Sequence, residues 1–404
     1  MPGTDATTTA GGGDLKRGLL CSVPEIMGIA EAWRGLLQTQ ALPCADQHPQ
    51  ALALDAARSP QRRPRVIVQY RQDKLAGIAP LMIQEDWPLR WGLQKIGVRG
   101  SVAEFRLRLA DFCGPDFVGQ LDGGGAEDLL SGLLKECADC DAIRFTGVAA
   151  DSWVLRLLRH GQPLIRRYSI FRQRTNCRRW LVRIDRDYDE YLRKFGGGTR
   201  RKIRQKVRRL QSHFGGRVEL AKALDRASLP SFFRAVNAVG CSSWQGRPLS
   251  PEAEARLAAL AEVGWLRGYV LVAGDRPLAF LIGQQVDGVY QPVSTGFDIS
   301  LEEYSPGYVL WSRVIQDLHQ DGGFRWLDFG SGDLAYKEFW GTESYLESGV
   351  YLIQRGFRRA LAFWPMRVAV WPVNIGRWFA AATKRRYDFD RLLHRSAKAF
   401  RRRA

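Results

Sequence analysis

Histidine is scarce in this 404-residue chain: there are five, and each stands alone. Isolated histidines build neither a Ser-His-Asp nor a Cys-His arrangement, so a covalent ping-pong nucleophile is not expected. Nor do they supply ligand spacing for a metal. The seven cysteines (Cys21, Cys44, Cys113, Cys137, Cys140, Cys177, Cys241) are scattered and odd in number, which fits a reduced, cytosolic setting rather than a disulfide scaffold. Cys137 and Cys140 form a lone C-x-x-C without a second pair. They read as two small residues on one helix, and no metal is expected. Long apolar runs are missing too. Residues 1–13 are rich in Thr and Gly and read as a disordered tail, not a signal peptide or an anchor. Residues 360–383 are apolar and Trp-rich, but Pro365, Pro372, Arg367 and Arg377 break them up too much for a comfortable bilayer span.

Acidic residues are in deficit, 42 Asp and Glu against 60 Lys and Arg, giving a formal charge of +18. Such a charge favours a polyanionic neighbour: nucleic acid, anionic membrane, acidic polysaccharide or a phosphorylated ligand. It does not choose among them. The tail, residues 358–404, joins Trp364, Trp371 and Trp378 to Lys384-Arg385-Arg386 and Arg401-Arg402-Arg403. It reads equally as a membrane-surface segment or as a packing arm.

What is present is enough for a core: 45% of residues are hydrophobic, and the length suggests two or three domains. From Arg217 onward the pattern predicts β-α-α-β-β-β-α-β-α-β. Residues 217–223 alternate like a strand. Ser250 caps a helix that opens at Pro251. Asp287-Gly288 predicts a two-residue hairpin turn between strands 277–286 and 289–296. Leu310, Trp311, Val314 and Leu318 share one face of a helix over 306–320, and 324–329 reads as a buried strand. The first half repeats the order more weakly. It has a helix over 23–37 capped by Ser22, a hairpin over Gln72-Asp73, a helix over 127–137 and a strand over 142–145.

Between the halves, residues 199–210 form a helix with a narrow apolar stripe (Ile203, Val207, Leu210) and an almost wholly basic opposite face. One reading is a solvated linker; the other is a cationic wall in which Arg201, Arg204 and Arg208 meet an anionic substrate. Further on, Tyr304-Ser305-Pro306-Gly307 opens the 306–320 helix. A helix start leaves backbone N–H groups free and carries partial positive charge, so Ser305, Gly307, Tyr308 and Val309 are candidates to hold a phosphate. Asp328 closes the following strand and Lys337 stands one short loop away. A carboxylate and an ammonium near a phosphate site suit proton transfer and charge neutralisation. Tyr336, Tyr304 and Tyr290 are alternative proton donors. Trp244, in the loop 241–248, and Trp340 are candidates to line an acceptor pocket, a tryptophan face being suited to a sugar ring.

The run Arg200–Leu210, Ser243-Trp244-Gln245-Gly246, Ser305-Pro306-Gly307, Asp328-Phe329-Gly330 and Tyr336-Lys337 with Trp340-Gly341 together resemble the GNAT acyltransferases. They look most like the tandem-domain, cellulose-biosynthesis-type (CelD-like) branch related to the Fem-type aminoacyltransferases. The resemblance implies an α/β (α+β) fold of tandem GNAT-like domains, with mixed, mostly antiparallel sheets flanked by helices. The expected layout is a tail (1–18), an N-terminal domain (19–184), a basic helical linker (185–216), a catalytic domain (217–357) and a basic amphipathic tail (358–404). It implies acyl transfer without a covalent enzyme intermediate, from acyl-CoA (acetyl-CoA or longer) to a primary amine on a small molecule or saccharide, in polysaccharide or envelope assembly. It also implies a splayed pair of central strands, here the end of strand 289–296, that polarises the donor carbonyl. A lysine near the transferring carbonyl in Fem-type enzymes corresponds to Lys337. The usual acetyltransferase loop has two spaced glycines; here only Gly307 matches, and Glu302-Glu303 precede it. In the first copy, Asp122-Gly123-Gly124-Gly125 sits among acidic residues, so that copy reads as structural or acceptor-binding. The competing readings are an aminoacyl-tRNA-dependent transferase and a non-catalytic nucleic-acid or membrane-surface binding protein. The expected location is the cytoplasm, with the tail able to hold the protein to the inner membrane surface.

Overall fold

The computed structural model describes residues 15–40, 44–92, 101–160, 163–184, 187–332 and 334–365. The expected tail at 1–14 and the amphipathic segment from 366 onward lie outside them. The chain divides into two compact units, residues 1–177 with 346–404, and residues 178–345. The basic helix expected as a linker therefore belongs to the second unit. The last strand, expected to close the second half, returns instead to the first unit.

The first unit runs β1 (Leu15–Leu20), α1 (Val23–Gly28), α2 (Ala30–Gln38), α3 (Pro49–Ala57), β2 (Arg62–Arg71), β3 (Lys74–Gly92), β4 (Ser101–Cys113), α4 (Gly123–Glu136), β5 (Ala142–Ala149) and α5 (Trp153–His160). Its sheet order is β1-β2-β3-β4-β5, and β5 then pairs with the end of β12 (Glu343–Gln354). Ser22 caps α1 in a reciprocal capping box with Glu25. The single helix expected over 23–37 is broken at Ile29, which leaves the helical region (φ −108°, ψ 8°). Residues 15–18, expected as tail, are strand, held by antiparallel pairing to β2. Gln72 and Asp73 adopt the positive φ values that the tight turn between β2 and β3 demands. Cys137 and Cys140 are fully buried in the core formed by α4 and the sheet.

The second unit takes the end of β6 (Tyr168–Arg183), α6 (Tyr188–Leu192), α7 (Gly197–His213), β7 (Val218–Ala223), α8 (Leu229–Ser242), α9 (Pro251–Glu262), β8 (Leu266–Ala273), β9 (Arg276–Val286), β10 (Val289–Phe297), α10 (Pro306–Asp321), β11 (Trp326–Ser331) and α11 (Ala335–Trp340). The sheet order is β6-β11-β10-β9-β8-β7. Asp287 (φ 45°) and Gly288 (φ 78°) make the predicted turn. Helix α10 lays Val309, Leu310, Val314, Ile315 and Leu318 into the core, and α7 contributes Ile203 and Leu210. Burying each such aliphatic side chain stabilises the unit by roughly 1.5–3 kcal/mol.

Among the described residues each unit has one parallel strand pair, and the two differ. In the first unit β4 and β5 stay in register for five residue pairs, from Leu109↔Ala142 to Cys113↔Thr146. In the second, β10 and β11 pair only at Val289↔Trp326 and Tyr290↔Leu327, then part. The architecture is thus mixed α/β, with mostly antiparallel sheets flanked by helices.

Candidate functional site

The opening between β10 and β11 is the natural place to look. Past Tyr290, β10 loses its partner on that side, and a bulge skips Val293 between Pro292↔Gly283 and Ser294↔Ile282. A bulge takes a residue out of the ladder and re-aims the backbone; Val293 is 49% exposed. The loop after α8 closes on this region. Gln245 Nε2 donates to Ser294 Oγ (3.3 Å) and to the Thr295 carbonyl (3.1 Å). Its neighbour Trp244 is 55% exposed.

Helix α10 begins at the far end of β10. Ser305 is its N-cap in the left-handed region (φ 55°, ψ 50°) and does not cap the helix with its own side chain. The Ser305 carbonyl accepts from the Tyr308 N–H (3.0 Å) and the Val309 N–H (3.2 Å). Pro306 has no N–H, so among the described residues Gly307 supplies the helix-start N–H without an acceptor. Of the four residues expected to hold a phosphate, only Gly307 keeps a free amide. A Cβ at Gly307 would stand 3.2 Å from the Phe297 ring at the end of β10, so the helix start and the strand end approach closely here. Lys206, which the sequence reading did not single out, reaches from α7 to donate to Ser305 Oγ (3.2 Å), with its Nζ 4.3 Å from the centre of the Tyr308 ring. A cation held at the positive end of a helix is electrostatically unfavourable until an anion joins it.

The first unit closes the equivalent position. Asp122 caps α4 through a 2.7 Å bond from the Gly125 N–H, and Arg71 holds the other carboxylate oxygen at 2.9 Å. A helix start occupied by its own carboxylate is a poor phosphate site.

Around the α10 start, Tyr304 is bracketed by His213, stacked at 4.0 Å, and by Arg209 over its ring at 5.1 Å; Arg209 also pairs with Glu303 (3.0 Å). Tyr308 packs on Phe339 and Trp340, and burial pushes its phenol up to about 12, with Tyr188 adding to the effect. Arg201, Arg204 and Arg208 are exposed on one face of α7. With Arg200 and Arg209 they line a cavity of about 870 Å³ that runs along the helix. Trp340, expected to line the acceptor pocket, is 1% exposed among Phe195, Tyr308 and Phe339. Its carbonyl accepts from Tyr191 Oη and Lys194 Nζ, both at 2.8 Å. It is a core residue, because the Trp340-Gly341 turn is folded inward onto α6.

Asp328 and Lys337 are both in this unit but do not stand free. Asp328, expected to project into the opening, is 1% exposed, and its two oxygens are gripped by Arg179 of β6. It also accepts the Gly330 N–H at 2.8 Å. Gly330 is in the left-handed region (φ 67°), where the chain turns out of β11 just after a register shift against β6. Lys337 is 5% exposed and donates to the carbonyls of Gly330 (3.1 Å) and Ser331 (2.7 Å). The two residues thus fix the loop at the end of β11 from both sides. Tyr336 stacks on Trp311 and meets Phe329 edge-on; burial pushes its phenol up to about 12, so it is protonated at neutral pH. Arg179 was missed because its strand was not read from sequence. The available signal was the pair Arg178-Arg179 directly before the apolar run Trp180-Leu181-Val182. Among the described residues no group of His, Cys, Asp and Glu could hold a metal ion, and no helix is long and apolar enough to cross a membrane.

Comparison with known proteins adds a class to this geometry. Residues 197–338, from the start of α7 into α11, hold Trp244, Gly307, Asp328 and Lys337 and match the family described as acetyltransferase (GNAT) domain. This stretch is thus an acyltransferase domain of the GNAT type within the chain. Among solved structures it is similar to FemX, with 14% identity, a TM-score of 0.55, and coverage of 80% of this chain and 96% of that one. Also similar are a tandem GNAT protein from the clavulanic acid biosynthesis pathway (11% identity, TM-score 0.49, 85% and 99% covered) and L-PGS from Bacillus licheniformis (12%, 0.45, 83% and 96%). At these identities the likeness to FemX is one of fold. No curated protein matches the chain.

Proposed function

We propose that the second unit transfers an acyl group from an acyl-CoA thioester to a primary amine, on a small molecule or saccharide used in polysaccharide or cell-envelope assembly. The observation that carries this reading is the parting of β10 and β11 after two residue pairs, beside a helix start whose Gly307 N–H faces no acceptor of its own. In this reading the donor's phosphates meet Gly307 and Lys206, with Ser305, Tyr308 and Val309 forming the wall of the site. The thioester carbonyl lies along the bulged part of β10. The acceptor approaches between Trp244, Tyr304 and the loop that follows β11. The amine nitrogen bonds to the carbonyl carbon, the C–S bond breaks, and the proton lost by the amine ends on the departing thiolate. Tyr336, protonated at neutral pH, is the proposed carrier of that proton, directly or through water. Asp328 and Lys337 act through position: with Arg179 they hold the Gly330-Ser331 loop against which the acceptor is aligned. Sub-ångström placement of reacting groups governs rate strongly enough that such support matters to turnover.

A second donor, an aminoacyl-tRNA, is favoured by one observation, the arginine-lined cavity along α7. The two are separated by incubating the purified protein with labelled acetyl-CoA and a panel of amino sugars, and in parallel with charged tRNA. Label transfer from acetyl-CoA alone supports the thioester reading. Transfer from charged tRNA alone overturns it. Membrane attachment through residues 366–404 is proposed on sequence grounds only, from their tryptophans and basic clusters.

A further inference from the structure

The first unit carries its own cavity, unrelated to the opening in the second. About 580 Å³ in volume, it lies where the last turn of α4 meets the start of β6 and the end of β12. Its rim holds three exposed cations: Lys135 of α4, Arg167 just before β6, and Arg355 just after β12. Among the described residues no carboxylate lines it and none of the three cations is in an ion pair. Arg167 and Arg355 are brought together by the fold itself, since the Arg355 N–H donates to the Arg167 carbonyl at 3.0 Å. Like charges on such neighbouring positions are destabilising unless something offsets them. The surrounding acids are engaged elsewhere: Asp139 pairs with Arg65 and Arg108, and Asp141 with Arg359. The floor is built from Leu134, 3% exposed, and Tyr168, 5% exposed. Gln354 donates its amide to the Ala138 carbonyl at the end of α4. That bond occupies a carbonyl oxygen just past the helix end that would otherwise repel an anion.

We infer that this cavity is a second anion site, distinct from the transfer site, and that it takes a small phosphate-bearing molecule. Two guanidinium forks and an ammonium around one hollow match a phosphate dianion better than a single carboxylate, because planar forks grip phosphate oxygens in pairs. The apolar floor leaves room for a compact organic remainder. The site rests on a different unit from the proposed donor site, so its test is independent of the transfer reading.

The test is calorimetric titration of the full chain with inorganic phosphate and, separately, with AMP. Four proteins are compared: wild type, Arg167→Gln/Arg355→Gln, Ala138→Glu, and the control Arg217→Gln/Arg234→Gln, which removes two exposed arginines of the second unit outside both sites. The control variant should bind phosphate as wild type does. The Arg167/Arg355 variant should lose about tenfold or more per arginine, the scale of a charge-assisted contact. Ala138→Glu, which puts a carboxylate on the lining without removing any cation, should do the same and serves if the arginine variant fails to fold. Tighter binding of AMP than of phosphate would show that the floor takes the remainder. Phosphate affinity within about twofold of wild type in both first-unit variants, or an equal loss in the Arg217/Arg234 control, overturns the proposal in favour of diffuse attraction to a basic surface.

Discussion

Arg179 Nε lies 2.9 Å from Asp328 Oδ1, with both side chains buried between β6 and β11 at the register shift between Asp328 and Ser331. A buried pair of this kind contributes little net stability as a pair, but removing one partner leaves an uncompensated charge and typically costs about 3–5 kcal/mol. Arg179→Leu is therefore expected to lower the melting temperature sharply. Asp328→Asn, which keeps the shape and loses the charge, should do so as well, though less. The double replacement Arg179→Leu/Asp328→Leu should recover much of the loss. Thermal unfolding of the three variants checks this, and a double variant no better than Arg179→Leu would count against it.

Lys337 holds the carbonyls of Gly330 and Ser331 at the end of β11, so its loss should loosen that strand end more than it unfolds the unit. For Lys337→Met the expected cost is about 1–3 kcal/mol, the usual penalty for leaving buried polar groups unpaired. Faster amide exchange should appear across residues 329–332. Exchange measured by mass spectrometry would show it, and unchanged protection would assign Lys337 to packing alone.

Asp317 collects Arg267, Lys222 and Tyr269 around one carboxylate, with Arg267 Nη2 at 2.7 Å and Tyr269 Oη at 2.9 Å. Burial alone would raise its pKa, but the three donors outweigh burial and hold it below the usual carboxylate value. A depressed folded pKa means stability that is present above the unfolded value and lost as pH falls through the folded one. The second unit should lose stability below about pH 4, and Asp317→Asn should flatten that acid limb. Urea melts from pH 3 to 6 would show both.

At the alkaline end the sign reverses. Tyr308 and Tyr336 stay protonated up to about 12 when folded. Unfolded, they ionise near 10. Between those values the unfolded state has lost protons that the folded state keeps, so stability falls as pH rises. Tyr336→Phe should weaken that fall, as read by urea midpoints at pH 8 and pH 11.

Much of the second unit was legible in the sequence because its signals are local. The Asp287-Gly288 turn, the Ser250 cap and the α10 stripe of Leu310, Trp311, Val314 and Leu318 each declare themselves within a few residues. The first half was harder. Strands β1 and β6 went unread because long-range pairing, not periodicity, makes them, and α3 because its Ala and Leu residues are spread around the helix and mark no one face. The unit boundary was hidden for the same reason: β12 is one continuous strand in sequence, and only its pairing with β5 assigns its end to the first unit. At the site, residue types were legible and orientations were not. Asp328 looked like a free carboxylate because its partner, Arg179, lies far off along the chain. Trp340 looked like pocket lining because nothing local says that its turn folds inward.

The arginine face of α7 is exposed and contributes little to the core. Replacing Arg201, Arg204 and Arg208 by Gln should leave stability within roughly 0.5 kcal/mol. The same change should reduce the affinity for an anionic substrate and flatten its salt dependence. A binding constant already flat across a salt series in the wild-type protein would mark the face as merely solvated.

The central claim is that the acyl donor enters where β10 and β11 part and rests its phosphates on the start of α10. Calorimetric titration of coenzyme A into the wild-type protein and into Gly307→Asp tests it most directly, with melting temperatures recorded for both. The account predicts measurable binding to the wild type and its loss in a folded Gly307→Asp protein, because the added carboxylate sits where the phosphate would. Equal affinity in the two proteins, or none in either, would contradict it.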